Sequence, residues 1–465
     1  MNIPIVQATW PGASLLDAQK AITQCAATQE AWRDLTDTER AELLTGLAKD
    51  LRQNAQQLAE VAHRETHLTL QRLVGEVERT AAQLELFAAM VESGGVHGCV
   101  LSPAVESSGG KPRQPDLRRM NIPLDGVALI FAASNFPLAF SVLGGDCASA
   151  LAAGCPVLVK CHPGHPKTSF LTAQIAHDVL RLHNLPTALI SLVETNNEVA
   201  VSLVKHNLTA AVGFTGSLRA GRLLADVTAA RPVPIPFFGE LGSVNPVVVL
   251  PDAAAHKMQD IVDQLCSSIT LGVGQFCTRP GVVFVPHTAS GEAVVLALRN
   301  ALAKVPPGVM LYEGLRQGFQ KRVRELLASE KVLPELLATS WHQTEPADQS
   351  SDFVVSPVLM STQAKHFLQE ETLREETFGP LVLVVYYCDA ADIEQCLQAV
   401  GGALTATLCM TDGDMPMVKK LTPTLQKNCW TSFVRRHANR CDRERCTNPR
   451  RTLPGVQPPR KHLCG

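Results

Sequence analysis

No run of eighteen residues in this 465-residue chain is free of polar interruption, so the sequence offers no candidate membrane-spanning helix. The start, Met1-Asn-Ile-Pro-Ile-Val, lacks a basic segment followed by an apolar one, and no secretory leader is expected. Net charge is almost absent at −2, which gives no reason to expect a nucleic-acid or membrane partner for the chain as a whole. The fourteen cysteines show no close regular spacing. That fits a reducing cytoplasm better than a disulfide framework. No Gly-x-Gly-x-x-Gly follows a strand-like run, so the usual dinucleotide fingerprint is missing. No internal repeat or low-complexity segment occurs before residue 427.

What is present is a large apolar fraction, 46 % against 18 % charged, in a chain long enough for more than one domain. Residues 14–93 read as amphipathic helices, with Ile22, Cys25, Ala26 and Leu44, Leu47, Leu51 at helical spacing. Residues 94–119 are rich in Gly, Ser and Pro and read as loop plus an edge ribbon. Short continuous apolar runs then alternate with helical patterns. Strands are expected at 126–131, 156–160, 189–193 and 210–214, with helices at 138–153, 167–182 and 198–205. Strands follow again at 245–250, 281–285 and 381–386. This alternation predicts βαβ units and parallel sheets. The fold class is α/β, in two parallel-sheet lobes meeting near residue 240.

Two residues point to chemistry. Cys277 lies in Leu271-Gly-Val-Gly-Gln-Phe-Cys-Thr-Arg-Pro280. A thiol in a small Gly-rich turn can attack a carbonyl when it is accessible and partly ionised. Glu240 lies in Phe237-Phe-Gly-Glu-Leu-Gly-Ser-Val-Asn-Pro246, where Gly and apolar neighbours can poise a carboxyl as a general base. Five segments occur in order: Asn135-Phe-Pro137, Phe214-Thr-Gly-Ser217 followed by Gly221, Glu240-Leu-Gly, Gly274-Gln-Phe-Cys277 and Glu375-Glu-Thr-Phe-Gly-Pro380. Together they resemble the aldehyde dehydrogenase superfamily, from the N-terminal helices to about Gln426. Within it, Ala132–Ser141, Val159–Pro166 and Leu241–Val247 resemble the 2,5-dioxovalerate (α-ketoglutaric semialdehyde) dehydrogenases and the NADP-linked fatty aldehyde dehydrogenases.

The resemblance implies a Rossmann-like cofactor lobe (1–105 and 123–239), a small oligomerisation ribbon (106–122) and a catalytic lobe (240–427). It implies a homodimer or homotetramer acting on a small-molecule aldehyde with NADP or NAD. Cys277 would attack the aldehyde, and Asn135 with the Cys277 backbone N–H would hold the oxyanion. Hydride would pass to the nicotinamide, and Glu240 would activate the water that hydrolyses the thioester. Lys160 would hold the adenosine ribose, Gly216, Ser217 and Gly221 would lie at the pyrophosphate, and Glu376 with Phe378 at the nicotinamide ribose. Pro163 stands where NAD-preferring members often carry Glu. With His162 and His165 nearby, NADP is expected to be tolerated or preferred. Cys161, His162 and His165 do not make a metal set, because two prolines there fit a loop better.

From residue 428 the text changes. Eight Arg and one Lys face one Asp and one Glu, with four Cys and four Pro and a net charge of +7. A basic disordered tail on a binding protein is one reading. A zinc site from Cys429, His437, Cys441 and Cys446 is another, but its spacing fits no common pattern. A third reading explains more. One nucleotide further on, codons for 429–435 permit Ala-Gly-Arg-Leu-Leu-Phe, and those for 449–456 permit His-Gly-Gly-Pro-Tyr-Pro-Ala, both motifs of the resembled subfamilies. The tail is then an out-of-frame product, and the chain as written is expected to be less stable and less active than a frame-restored form.

Overall fold

The computed structural model describes residues 12–107, 109, 113–337 and 353–435, with backbone alone for 429–435. The chain divides into two compact units, Met1–Leu241 and Gly242–Gly465.

In the first unit, helices Leu15–Ala26, Asp37–Gln53, Ala55–Thr66 and Leu70–Glu92 follow one another. Their starts are written in the sequence. Ser14 and Thr69 cap with their hydroxyls, and Thr36 with Glu39 closes a reciprocal capping box. Leu73, Val77, Ala81, Leu84, Ala88 and Val91 form the buried stripe of the longest of these helices. A five-stranded parallel sheet follows, in the order Ile190–Val193, Val157–Lys160, Val127–Phe131, Thr209–Gly216, Phe237–Leu241. Every residue of Val127–Phe131 is buried, as expected of a central strand covered on both faces. The strand order turns back at Val127–Phe131, so the crevice of this unit opens between its end and that of Thr209–Gly216.

The second unit is built on seven strands among the described residues. Their order is Leu333–Leu336, Val358–Gln363, Leu381–Tyr387, Val282–Pro286, Val247–Val249, Ala403–Cys409, Cys429–Arg435. All pairings are parallel except the first. The alternating α/β pattern read from the sequence is therefore present in both units.

Two expectations are corrected. The helix expected over 138–153 covers only Gly145–Ala152. Leu143 has φ +64° and the chain turns through 138–144, because a helix cannot pass a left-handed residue. The strand expected from Asn245 begins at Val247, since Asn245 takes φ +51°. The antiparallel pair Val100–Ser102 with Leu117–Arg119 lies within 94–119, where loop and an edge ribbon were expected.

The region after 428 is also corrected in part. Residues Cys429–Arg435 form an edge strand, in parallel register with Ala403–Cys409. The segment Cys-Trp-Thr-Ser-Phe-Val is rich in aromatic and β-branched residues, which suit a strand whatever frame wrote them. The zinc candidates His437, Cys441 and Cys446 lie outside the described residues. A chain ending at Asn428 leaves Ala403–Cys409 as the sheet edge. Its loss of stability should be roughly 3–5 kcal/mol, at about 0.5–1.5 kcal/mol per lost backbone bond. Calorimetric or circular-dichroism melting checks this, and an unchanged midpoint would show that the strand adds nothing.

Candidate active site

In the first unit, four of the expected site residues stand at one edge of the sheet. Asn135 follows strand Val127–Phe131, Lys160 ends Val157–Lys160, Gly216 ends Thr209–Gly216, and Glu240 lies one residue before the end of Phe237–Leu241. This is the carboxyl edge, where ligands bind in open parallel sheets.

The turn carrying Asn135 is clamped from several sides. The Arg72 guanidinium donates to the Asn135 carbonyl at 2.6 Å and lies 5.1 Å from the Phe136 ring centroid. The buried Glu76 accepts from the backbone N–H of Leu138 and Ala139 at 2.9 and 3.0 Å. Burial raises the pKa of this carboxyl, and the two backbone bonds oppose that rise. His165 is wholly buried. Its Nε2 donates to the Ala133 carbonyl at 2.7 Å, and its Nδ1 meets Ser169 Oγ at 3.2 Å. Asn135 itself is 7 % exposed. The sequence does not show the bonds that hold this turn, because Arg72, Glu76 and His165 each reach it across more than thirty residues. A buried carboxylate in an otherwise apolar helix stripe was the one available signal.

These contacts correct the reading of His165. With both ring nitrogens engaged in the interior, it is not free to meet a 2′-phosphate. His162 is half-buried, stacks on His165 at 5.4 Å, and accepts from the Gly164 N–H at 3.0 Å. Burial and the neighbouring His165 hold its pKa well down, so it presents a neutral ring. Nor is the surrounding of Lys160 free of carboxylate. Burial lowers the Lys160 pKa, while Glu194, at the end of the neighbouring strand, opposes the fall. Lys160 pairs in register with Val193, which brings Glu194 to the same level of the sheet. Position 163, three residues along the chain, is proline, whereas the carboxylate near Lys160 comes from the next strand.

Ser217 caps helix Leu218–Ala229, its Oγ accepting from the Ala220 N–H at 3.3 Å. Gly216 thus leads straight from strand to helix start, where N–H groups are available to an anion. Gly221 does something else. A Cβ there would lie 2.0 Å from Leu241 Cδ2, so this glycine serves close packing of helix on strand.

In the second unit, Cys277 follows a turn in which Gly272, Val273 and Gly274 have φ of +56°, +58° and +67°. A Cβ on Gly274 would lie 2.4 Å from the Gly379 carbonyl oxygen. Absence of a side chain therefore lets the cysteine turn press on the Gly379–Pro380 peptide. Asn245 Nδ2 donates to the carbonyls of Cys277 and Arg279 at 2.7 and 2.9 Å. The buried Arg279 donates to the carbonyls of Pro280 at 2.8 Å, Thr377 at 2.6 Å, and Leu381. Burial brings its pKa down to about 10, against the pull of Glu376. Gln275 Oε1 accepts from the Leu311 N–H at 3.0 Å. The segments holding Cys277 and Glu376–Phe378 are thus one fastened assembly, at the amino ends of strands Val282–Pro286 and Leu381–Tyr387. Glu376 and Phe378 are each half-buried, and burial raises the Glu376 pKa.

Cysteine burial separates candidates that the sequence could not. Cys25, Cys147, Cys155, Cys161, Cys396 and Cys409 are buried, Cys99 and Cys388 are exposed, and Cys266 and Cys277 are half-buried, burial raising the Cys266 thiol pKa. Burial raises the thiol pKa of Cys25, Cys147, Cys155, Cys161 and Cys396, which makes them poor nucleophiles at neutral pH. Among the described residues no group of three or more His, Cys, Asp or Glu is placed to hold a metal ion, and no helix is long and apolar enough to cross a membrane.

The sequence pattern of the Aldehyde dehydrogenase family matches residues 5–418. "Alpha-ketoglutaric semialdehyde dehydrogenase 2" of Azospirillum brasilense is 38% identical over 432 residues, covering 93% of this chain and 80% of the relative. "Alpha-ketoglutaric semialdehyde dehydrogenase" of Acinetobacter baylyi is 35% identical over 403 residues, covering 85% of this chain and 73% of the relative. A solved NAD-dependent benzaldehyde dehydrogenase from Corynebacterium glutamicum shares the fold, with a TM-score of 0.73 at 22% identity over 92% of this chain and 87% of its own. The extent of these matches, over a chain that carries a fastened cysteine turn and a carboxylate at the sheet edge, places it as a member of the aldehyde dehydrogenase family, whose oxidoreductases use a pyridine nucleotide.

Proposed function

We propose that this protein oxidises 2,5-dioxovalerate to 2-oxoglutarate through a thioester on Cys277. The substrate reading rests on the relatives' names and on the local wording around Asn135, Lys160 and Glu240. The observation that carries the chemistry is the half-buried Cys277 held in a left-handed turn by Asn245 and Gly274. Thiolate attack on the aldehyde carbon gives a thiohemiacetal, whose oxyanion the Asn135 side chain and the Cys277 N–H would receive. When bound, the nucleotide accepts the hydride. Lys160, Gly216, Ser217, Glu376 and Phe378 are assigned to hold it, and His162 is assigned beside its ribose. Glu240 takes a proton from water, and the acid is released. The test of substrate is a comparison of kcat/KM for 2,5-dioxovalerate and hexanal with each nucleotide. A higher value for hexanal would favour the fatty-aldehyde reading.

NAD and NADP are both assigned as cofactors, with Glu194 setting their ratio. A carboxylate beside Lys160 disfavours a 2′-phosphate, while Pro163 adds none. Glu194→Gln should raise the NADP:NAD ratio of kcat/KM by about tenfold, the size of one screened charge contact of about 1.4 kcal/mol. An unchanged ratio would remove Glu194 from cofactor choice.

Homo-oligomer formation is proposed through the ribbon, whose Leu101, Leu117, Met120 and Ile122 are between 53% and 78% exposed. The cytoplasm is proposed as the compartment, from fourteen cysteines without close regular spacing. Residues after 427 are proposed to be out of frame. The coding DNA around codon 427 should hold a single-nucleotide indel, and a clean frame there would contradict this and favour a basic-tailed binding protein.

Cys277→Ala should abolish dehydrogenation. Glu240→Gln should give a pre-steady-state burst of reduced nucleotide followed by stalling, because hydride transfer precedes hydrolysis. These variants are best made in both the chain as written and its frame-restored form. Steady turnover of Glu240→Gln equal to wild type would take Glu240 out of the reaction.

A further inference from the structure

Helix Leu70–Glu92 turns three charged side chains toward the turn that carries Asn135. Arg72, Glu76 and Arg79 stand at i, i+4 and i+7, a spacing that puts them on one face. Two of them are spent on the backbone of the turn. Arg72 donates to the Asn135 carbonyl, and Glu76 accepts from the N–H groups of Leu138 and Ala139. Arg79 is exposed, and among the described residues it makes no hydrogen bond or salt bridge. Two further carboxylates of the helix, Glu78 and Glu85, engage Arg52 instead. Glu76 feels the Arg79 charge without a bond to it.

What Arg79 touches is aromatic. Its guanidinium lies 5.3 Å from the ring centroid of Phe136 and 5.3 Å from that of Phe140. The two half-buried rings meet edge to face, their centroids 5.2 Å apart. The turn itself holds them in place. The Phe140 N–H donates to the Phe136 carbonyl at 3.3 Å, and the Ala133 N–H donates to the Phe140 carbonyl at 2.8 Å. The cation is therefore seated by cation–π attraction on a fixed aromatic pair. Phe136 directly follows Asn135. An arginine that only braces a fold is expected to end on a carboxylate or a carbonyl, as Arg40, Arg52, Arg72 and Arg279 do here. Arg79 keeps its planar fork of donors open beside the residue assigned to the oxyanion.

We propose that Arg79 binds the carboxylate of the substrate while the aldehyde end lies at Asn135, and so selects aldehydes that carry an acid at the far end of the chain over neutral ones. The inference rests on the reading of the protein as a 2,5-dioxovalerate dehydrogenase and names the group that recognises the acid. In that substrate four carbon–carbon bonds separate the aldehyde carbon from the carboxylate carbon, a reach of roughly 5 Å at about 1.5 Å per bond. The two ends of one molecule can thus address neighbouring parts of one turn. A guanidinium takes both oxygens of a carboxylate at once, and its aromatic seat leaves less side-chain freedom to lose on binding. A neutral chain such as hexanal offers the fork no acceptor at that distance.

The test is steady-state kinetics of the full chain with 2,5-dioxovalerate and with hexanal. In Arg79→Gln the ratio of kcat/KM, acid substrate over hexanal, should fall at least tenfold, through KM for the acid and with little change in kcat. Arg79→Lys should fall between Arg79→Gln and wild type, because it keeps the charge and loses the fork. In wild type KM for the acid should also rise with salt, and Arg79→Gln should lose most of that rise, as an exposed charge contact requires. A ratio unmoved in Arg79→Gln would overturn the proposal and confine Arg79 to packing on the two rings. Preference of wild type for hexanal would strike 2,5-dioxovalerate as the natural substrate, while the change of ratio on substitution would still decide the role of Arg79. A second arm needs no turnover. Calorimetric titration with 2-oxoglutarate, the acid product, should give a Kd at least fivefold higher in Arg79→Gln than in wild type. Equal Kd values, or no binding by wild type, would overturn the proposal as well.

Discussion

The cysteine turn of the second unit depends on one close approach, that of Gly274 to the Gly379–Pro380 peptide. The chain reaches it through three successive left-handed residues, one of them valine, at a cost that only a well-determined surrounding can hold. The surrounding is present. Asn245 takes the carbonyls on either side of Thr278, Gln275 fastens to Leu311, and Arg279 reaches into the 377–381 segment. A thiol carried on such a turn cannot retreat into the core as Cys147 or Cys161 do. Its half exposure is imposed by its backbone.

The first unit solves a different problem. Here the functional side chains come from the ends of parallel strands, and the sheet itself sets their spacing. What the sheet cannot set is the turn after Val127–Phe131, which runs on through irregular backbone. Arg72 and Glu76 from one helix and His165 from another fix that turn through its backbone groups. The turn is therefore as rigid as the elements around it, which an oxyanion donor at Asn135 requires.

Much of this was legible in the sequence, for reasons that differ by element. The strands at Val127–Phe131, Val157–Lys160 and Leu381–Tyr387 are short apolar runs, too short for a helix and rich in β-branched residues, which is how a buried parallel strand reads. Cys277 and Glu240 stand out because of the ordered motifs around them, and their roles are part of the proposal. The helix over 138–153 was misjudged because Leu143 gives no sign of its left-handed backbone. Gly221 was read as a phosphate contact, and its place against Leu241 needed coordinates. Glu194, Asn245 and Arg279 act across strands or between loops, so no local pattern marks them. The edge strand Cys429–Arg435 was unexpected because the segment was read for its charge, and its β-forming residues were passed over.

The claim on which the rest turns is that carbon of the substrate becomes bonded to the Cys277 sulfur. Acid quench of the enzyme during turnover of 2,5-dioxovalerate, followed by peptide mass mapping, measures this directly. The acyl mass should be found on the peptide containing Cys277, with Cys99 and Cys388 unmodified despite their greater exposure. An acyl group on another cysteine, or product formed with no acylated peptide at any time, would contradict it.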